Sequence, residues 1–238
     1  MKLGTFSIID GLVAPEILSS YLDFLILDSE HGLENLSEQK ARFFASKTEL
    51  NKGCEVFIRV PSLSRIDIQR YLEIGADGIL VPQISSFEQA SQAIDYSFYP
   101  PLGSRGVSPY TRPFGYEPSN LVNKKIKINK DLKLGLLIEG VAGIKDLKKI
   151  LEKYSENIFL IYFGLFDFAN SLGLDADLEN PKIRDGIMQI IKMCNEANVR
   201  IGTIATENKN INLLNDLGVE YIVFKNDVEI LKDGIPNV

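Results

Sequence analysis

YLDFLILDSE (residues 21–30), IGADGILVPQ (74–83) and LGVEYIVFKN (217–226) repeat one pattern: an acidic residue, a nearly continuous apolar run, then a polar group. Unbroken apolar runs suit parallel strands buried on both faces. Within these stretches the predicted strands are DFLILD (23–28), DGILVP (77–82) and EYIVFK (220–225). Five more runs complete a set of eight: LGTFSII (3–9), EVFIRV (55–60), KLGLLIE (133–139), NIFLIYFG (157–164) and RIGTIAT (200–206). Longer polar stretches with helical spacing lie between them. In IRDGIMQIIKMCNEANV (183–199), Ile187, Ile190, Ile191 and Cys194 recur at the interval of one helix face. Eight strands alternating with helices predict an α/β fold, a (β/α)8 TIM barrel filling residues 1–238 as one domain. A doubly wound open sheet is the runner-up. No glycine-rich phosphate loop follows any strand, neither GxGxxG nor GxxxxGK[ST], which disfavours it. Residues 99–120, YPPLGSRGVSPYTRPFGYEPSN, break the rhythm as a long loop, and its three tyrosines and two arginines predict a packed one.

Composition narrows the class of function. A 45% hydrophobic, 24% charged chain of 238 residues can bury a sizeable core without staples. The net charge of −6 argues against a general nucleic-acid binder, though not against small anionic substrates in a locally positive pocket. Two cysteines, Cys54 and Cys194, make no disulfide framework. The opening MKLGTFSIIDG has no long apolar region, and no run approaches a membrane span, so a cytoplasmic protein is expected.

In such a barrel, chemistry gathers at the C-terminal ends of the strands. Strand 2 ends in Asp28-Ser29-Glu30-His31, and His31 is the only histidine in the chain. Strand 3 carries Arg59, strand 4 ends at Pro82-Gln83, strand 5 ends in Glu139, and strand 6 leads to Asp167. Strands 7 and 8 end in Thr206-Glu207 and Lys225-Asn226-Asp227. Each group also has a plainer role. Glu207 and Asp227 are expected to cap helices. Arg59 can form a barrel salt bridge, and His31 can be a capping or surface residue. Glu139 sits on a strand expected to be buried, where an unpaired carboxylate is costly and a cation would remove the cost. One histidine excludes sites built on two or three imidazoles. A metal would be held by carboxylates and water, which favours hard ions such as Mg²⁺ or Mn²⁺.

These motifs together resemble the HpcH/HpaI aldolases, metal-dependent class II pyruvate aldolases related to the citrate lyase β-subunit. DFLILDSEHG is similar to the family's strand-2 motif, and FIRVP to its strand-3 arginine motif. YLEIGADGILVPQISSFEQASQAI and YPPLGSRG resemble its strand-4 and loop motifs. LLIEG and YFGLFDFANSLG sit where the family has its metal-binding glutamate and aspartate. The Glu-His pair points to the aldolase branch. The resemblance implies a barrel of the phosphoenolpyruvate/pyruvate-domain type, with Glu139 and Asp167 holding a divalent metal (Mg²⁺ or Mn²⁺, with Co²⁺ a third candidate). It implies that Arg59 and the metal hold a 2-oxoacid, and that His31, oriented by Asp28, moves the proton. The implied reaction cleaves a 4-hydroxy-2-oxoacid to pyruvate and an aldehyde, or runs in reverse, in a homo-oligomer with no nucleic-acid or membrane partner.

The chain departs from that pattern at several points. Leu137 stands where the family usually has glutamine, two residues before the metal glutamate. Leu165, Phe166, Phe168 and Ala169 surround Asp167 where it has a Gly-Pro-x-Asp-Leu-Ser setting, and Glu73 replaces an aspartate. The final segment VEILKDGIPNV is short for a helix that crosses to a neighbouring subunit. Leu137 and Phe166 are therefore candidate substrate-selecting residues. Two other functions compete: a Schiff-base aldolase using Lys225, and a non-catalytic barrel that serves as a binding or assembly subunit.

Overall fold

The computed structural model describes residues 1–51 and 53–236. Eight parallel strands close into a barrel in sequence order. They are β1 (Lys2–Ser7), β2 (Phe24–Asp28), β3 (Glu55–Arg59), β4 (Gly78–Val81), β5 (Lys133–Ile138), β6 (Leu160–Phe163), β7 (Arg200–Ala205) and β8 (Tyr221–Asn226). Around them run α1 (Val13–Tyr21), α2 (Leu36–Ala45), α3 (Arg65–Ile74), α4 (Phe87–Ser97), α5 (Leu121–Asp131), α6 (Val141–Tyr154), α7 (Leu165–Ser171), α8 (Pro181–Glu196), α9 (Asn208–Asp216) and α10 (Asp227–Asp233). This is the TIM barrel expected from the repeats. Among the described residues no helix is long and apolar enough to cross a membrane. The last two residues of VEILKDGIPNV lie outside the described residues.

Local sequence explains the elements. All five residues of β2 and all four of β4 and β6 are buried, as runs covered on both faces must be. Asn35 caps α2 in a capping box with Glu38. Ser64 and Ser86 cap α3 and α4. β6 begins at Leu160, three residues later than the apolar run suggests, because Ser155–Asn157 close a 3-10 turn first.

The lower end of the barrel is filled by Phe24, Phe57, Phe159 and Tyr221, whose ring centroids lie 5.1–6.5 Å apart. Two small positions make this possible: a Cβ at Gly4 would fall 2.6 Å from the Phe24 ring, and one at Gly78 would fall 2.7 Å from Phe57. Below the rings, Glu55 pairs with Lys2 at 2.7 Å and Lys133 at 2.6 Å and accepts the Tyr221 hydroxyl at 2.7 Å. The floor is closed, so an open cavity can form only above it.

The residues between α4 and α5 hold one 3-10 turn, Arg112–Phe114. Tyr99 and Phe114 are buried there with ring centroids 5.7 Å apart, and the Arg105 guanidinium lies 4.6 Å from the Tyr99 ring centroid. Only part of the expected packing is seen: Tyr99 and Arg105 are buried, while Tyr110, Tyr116 and Arg112 are exposed.

At the upper end, Arg42 from α2 is buried and ties three elements together. It pairs with Glu34 and donates to the Ser7 carbonyl and hydroxyl and to the Ile9 carbonyl at 2.9–3.1 Å. Asp227 completes this clamp by accepting from Ser7 Oγ at 2.8 Å and from the Ile8 and Ile9 amides. Asp227 therefore does not cap its own helix; Asn226 does, by accepting from the Glu229 amide. Glu207 stands at the N-cap of α9 but accepts no capping hydrogen bond, and pairs instead with Lys209 at 3.4 Å. For Asp227 the cause is a better-placed set of partners, the Ser7 hydroxyl and the Ile8 and Ile9 amides.

Candidate active site

A cavity of about 310 Å³ opens at the C-terminal ends of the strands. Asp28, His31, Arg59, Leu137, Glu139, Phe166 and Asp167 all line it. Seven residues drawn from four parts of the chain are thus gathered in one place by the barrel.

Its charged floor is an ion pair between adjacent strands. Asp28 and Arg59 are register partners on β2 and β3. Arg59 Nε and Nη2 donate to the two Asp28 oxygens at 2.8 and 2.6 Å, and Arg59 Nη1 lies 3.0 Å from Glu30 Oε2. The guanidinium also rests 4.7 Å from the Phe6 ring centroid. Asp28 is 1% exposed and Arg59 9%. This bidentate, charge-assisted geometry fixes the guanidinium plane, and removing one partner would leave the other charge buried and unpaired. The salt-bridge reading of Arg59 and its place on the cavity are both realised.

Asp28 does not orient the His31 imidazole. Its Oδ1 accepts the Glu30 amide at 3.0 Å and the His31 amide, more loosely, at 3.5 Å. Arg59 claims the carboxylate, so Asp28 shapes the turn that carries His31 through the backbone only. His31 itself is exposed at the mouth, and Asn35 rather than His31 caps α2. Asp28→Ala is expected to leave Arg59 buried beside Glu30 alone. Breaking such a pair costs about 3–5 kcal/mol, which lowers the melting temperature on the order of 10 °C. A thermal melt of the variant checks this; a shift within a degree or two would mean the pair adds little.

Two residues of the site were not singled out from sequence as site residues. Gln83 follows β4 with φ of 59°, a left-handed conformation uncommon for a side chain with a Cβ. In that conformation its amide donates to Glu139 Oε1 at 2.6 Å and its Nε2 donates to Glu30 Oε1 at 2.9 Å. Gln83 and Glu30 therefore link the ends of β2, β3, β4 and β5. The available signal was position: Gln83 is the first polar residue after its strand.

Glu139 is half-buried just beyond β5, and burial raises its pKa to about 7, with the negative charges of Asp167 and Glu30 adding to the rise. Gly164 is what admits it. A Cβ at Gly164 would lie 2.6 Å from Glu139 Cβ and 3.0 Å from its Oε2. Asp167 is exposed in the first turn of α7. Phe166 is 54% exposed at the rim, whereas Phe168 turns into the wall against Phe163, centroids 5.0 Å apart. Leu137 is 1% exposed and faces the cavity.

The charge balance tests whether a cation fits. Glu139 and Asp167 share a cavity whose only arginine is already engaged by Asp28 and Glu30. Burial is the main cause of the raised Glu139 pKa, and the negative charges of Asp167 and Glu30 add to it. A divalent ion held by Glu139 and Asp167 would offset those charges. Among the described residues no three His, Cys, Asp or Glu side chains converge as a complete ligand set, so water and substrate oxygens would supply the remaining ligands. Neither thiol competes: Cys54 and Cys194 are buried, and burial pushes both up to about 12.

A closed parallel barrel with acidic, basic and imidazole groups at its C-terminal mouth defines a class of barrel enzymes whose reactions depend on placing charge against a small substrate. Residues 12–227 match the HpcH/HpaI aldolase/citrate lyase family, and the chain belongs to it. The chain is 25% identical to the 5-keto-4-deoxy-D-glucarate aldolase of Escherichia fergusonii over 237 residues, covering 98% of this chain and 89% of that one. An HpcH/HpaI aldolase/citrate lyase family protein from Burkholderia cenocepacia superposes with a TM-score of 0.89 at 21% identity, over 98% of this chain and 90% of its own. The HpcH/HpaI aldolase from Desulfitobacterium hafniense does so with a TM-score of 0.84 at 26% identity, over 98% and 88%.

Proposed function

We propose that this protein is a metal-dependent carbon–carbon lyase that cleaves or forms a 4-hydroxy-2-oxoacid, with pyruvate or a related 2-oxoacid as one product. The observation that carries this is the convergence of His31, Arg59, Glu139 and Asp167 on one cavity with unmet negative charge. The substrate named for the Escherichia relative, a 5-keto-4-deoxy sugar diacid, is itself a 4-hydroxy-2-oxoacid when counted from its keto end.

In the cleavage direction His31 takes the proton of the 4-hydroxyl. The C3–C4 bond breaks, the aldehyde leaves, and the electron pair becomes the enolate of the 2-oxoacid. Protonation at C3 then gives pyruvate or its analogue. An imidazole suits the first transfer, because it can both take up and return a proton. Arg59 spends N–H groups on Asp28 and Glu30, which fixes its plane, and its remaining donors are available to substrate oxygen. A divalent ion at Glu139 and Asp167 would supply Lewis-acid stabilisation of the enolate charge.

The Schiff-base reading fails on Lys225. Its ammonium pairs with Asp233 and with Glu229 at 3.6 Å, partners that raise its pKa, and Lys225 does not line the cavity. A Schiff-base lysine needs the opposite environment. Methyl-proton exchange of pyruvate in D2O, with Mn²⁺ or Mg²⁺ present, tests the proposal without knowledge of the aldehyde. Exchange that EDTA abolishes is expected. No exchange with either ion would favour the binding-subunit alternative.

Leu137 is the departure that reaches the substrate. An amide there would offer hydrogen bonds; leucine offers only shape. Leu137→Gln is expected to tighten oxamate binding severalfold and speed pyruvate exchange. Titration of the variant against wild type checks this, and equal or weaker binding would clear Leu137 as the cause of divergence.

A further inference from the structure

Tyr162 has no part in the reaction as derived above. It stands on β6, 2% exposed, with its ring edge-on to Phe6 at a centroid separation of 5.8 Å. Its register partner on β5 is Leu137, and both line the cavity. Among the described residues the Tyr162 hydroxyl has no hydrogen-bond partner. That is unusual, because a buried phenol tip nearly always finds one. Glu30 Oε2 also lacks a hydrogen bond, but it has Arg59 Nη1 at 3.0 Å as an ion-pair partner. Among the described residues Tyr162 has no such compensation.

The surroundings say what would satisfy it. Phe6, edge-on to its ring, and Leu137, its register partner, are apolar neighbours on the cavity. Phe6 touches both Tyr162 and Arg59: its ring centroid lies 5.8 Å from that of Tyr162 and 4.7 Å from the Arg59 guanidinium. Burial holds the phenol protonated, so it is a donor. A donor that shares an apolar neighbour with a guanidinium matches an anionic oxygen on a small ligand. Pockets commonly fix orientation with a few such isolated polar groups.

We propose that Tyr162 is a substrate-binding residue whose hydroxyl donates to an oxygen at the anionic end of the bound 2-oxoacid, beside Arg59. The polar contact that Leu137 cannot make from β5 is made from β6. This rests on the 2-oxoacid reading of the cavity. It also accounts for an otherwise costly feature, since a donor unpaired in the free protein and paired in the complex contributes its whole hydrogen bond to binding.

Tyr162→Phe keeps the ring and its contact with Phe6 and removes only the hydroxyl. The ligand-free variant is expected to melt at or above the wild-type temperature, because no protein partner is lost. With Mn²⁺ present, oxamate affinity is expected to fall roughly 10- to 100-fold, as for a hydrogen bond to a charged group. The KM of pyruvate proton exchange should rise while kcat changes less. Equal oxamate affinity in variant and wild type would overturn the assignment, and so would a lower melting temperature with affinity intact, the mark of a structural hydroxyl. If wild type itself binds no oxamate, the 2-oxoacid reading falls and this inference with it; if wild type binds and the variant binds equally, only Tyr162 is misassigned.

Discussion

His31→Ala is expected to lower cleavage of a 4-hydroxy-2-oxoacid, or aldol addition of pyruvate to a simple aldehyde such as glycolaldehyde, by roughly 10²–10⁴-fold. The fold should not change. His31 is exposed, and no capping hydrogen bond or buried ion pair depends on its imidazole. Oxamate binding should survive, since Arg59 and Tyr162 line the cavity without help from it. Methyl-proton exchange of pyruvate should fall less than cleavage, because exchange acts at C3 and His31 is assigned to the C4 oxygen. Wild-type cleavage rates in the variant would remove His31 from the reaction. Equal losses in exchange and cleavage would instead place it at C3.

The barrel was legible because its strands announce themselves. FLIL and GILV are apolar at every position, a pattern that a half-exposed strand does not show. What local pattern could not place were positions settled by a competing partner. Asp227 looks like a helix cap because acids usually are, but the Ser7 hydroxyl and two amides of the β1 loop hold it instead. β6 starts late because a 3-10 turn takes up Ser155–Asn157.

The site was legible as a list of residues and not as a set of contacts. Strand ends named Asp28, His31, Arg59, Glu139 and Asp167, since a barrel brings strand ends together whatever the sequence separation, whereas Leu137 and Phe166 came from the family resemblance alone. Sequence adjacency misled about Asp28 and His31. Three residues apart after a strand, they point to different neighbours: Asp28 meets its cross-strand partner Arg59, and His31 lies beyond the turn. The bridge from Glu30 through Gln83 to Glu139 joins three separate parts of the chain and leaves no local signature. Tyr162 was hidden differently. On a strand a tyrosine reads as core, and only the missing partner of its hydroxyl marks it.

Glu139→Ala and Asp167→Ala are each expected to abolish metal-dependent thermal stabilisation. An ion present at a hundredfold excess over its Kd stabilises the native state by about 2.7 kcal/mol, a rise of about 5–10 °C for a chain of this size. Wild type should show that rise with Mn²⁺, and the variants should not. The pH dependence follows from Glu139. Its pKa is raised from 4.5 to about 7 in the folded protein, so ionising it costs stability. Without metal, that cost is absent below pH 4.5, grows as pH rises, and is complete above about 7. Glu139→Gln removes it, so in EDTA the variant should gain on wild type between pH 5 and 8. With metal the order reverses: protons compete for the same carboxylate, and the wild-type rise with Mn²⁺ should shrink as pH falls from 8 to 5. Thermal melts of wild type and Glu139→Gln, at pH 5 and pH 8, with EDTA and with Mn²⁺, read four conditions for each protein. A Mn²⁺ shift that persists in both alanine variants would show that the carboxylates are not the ligands. The unmet charge at the mouth would then have to be answered by the substrate's own cationic group or by protonation of Glu139.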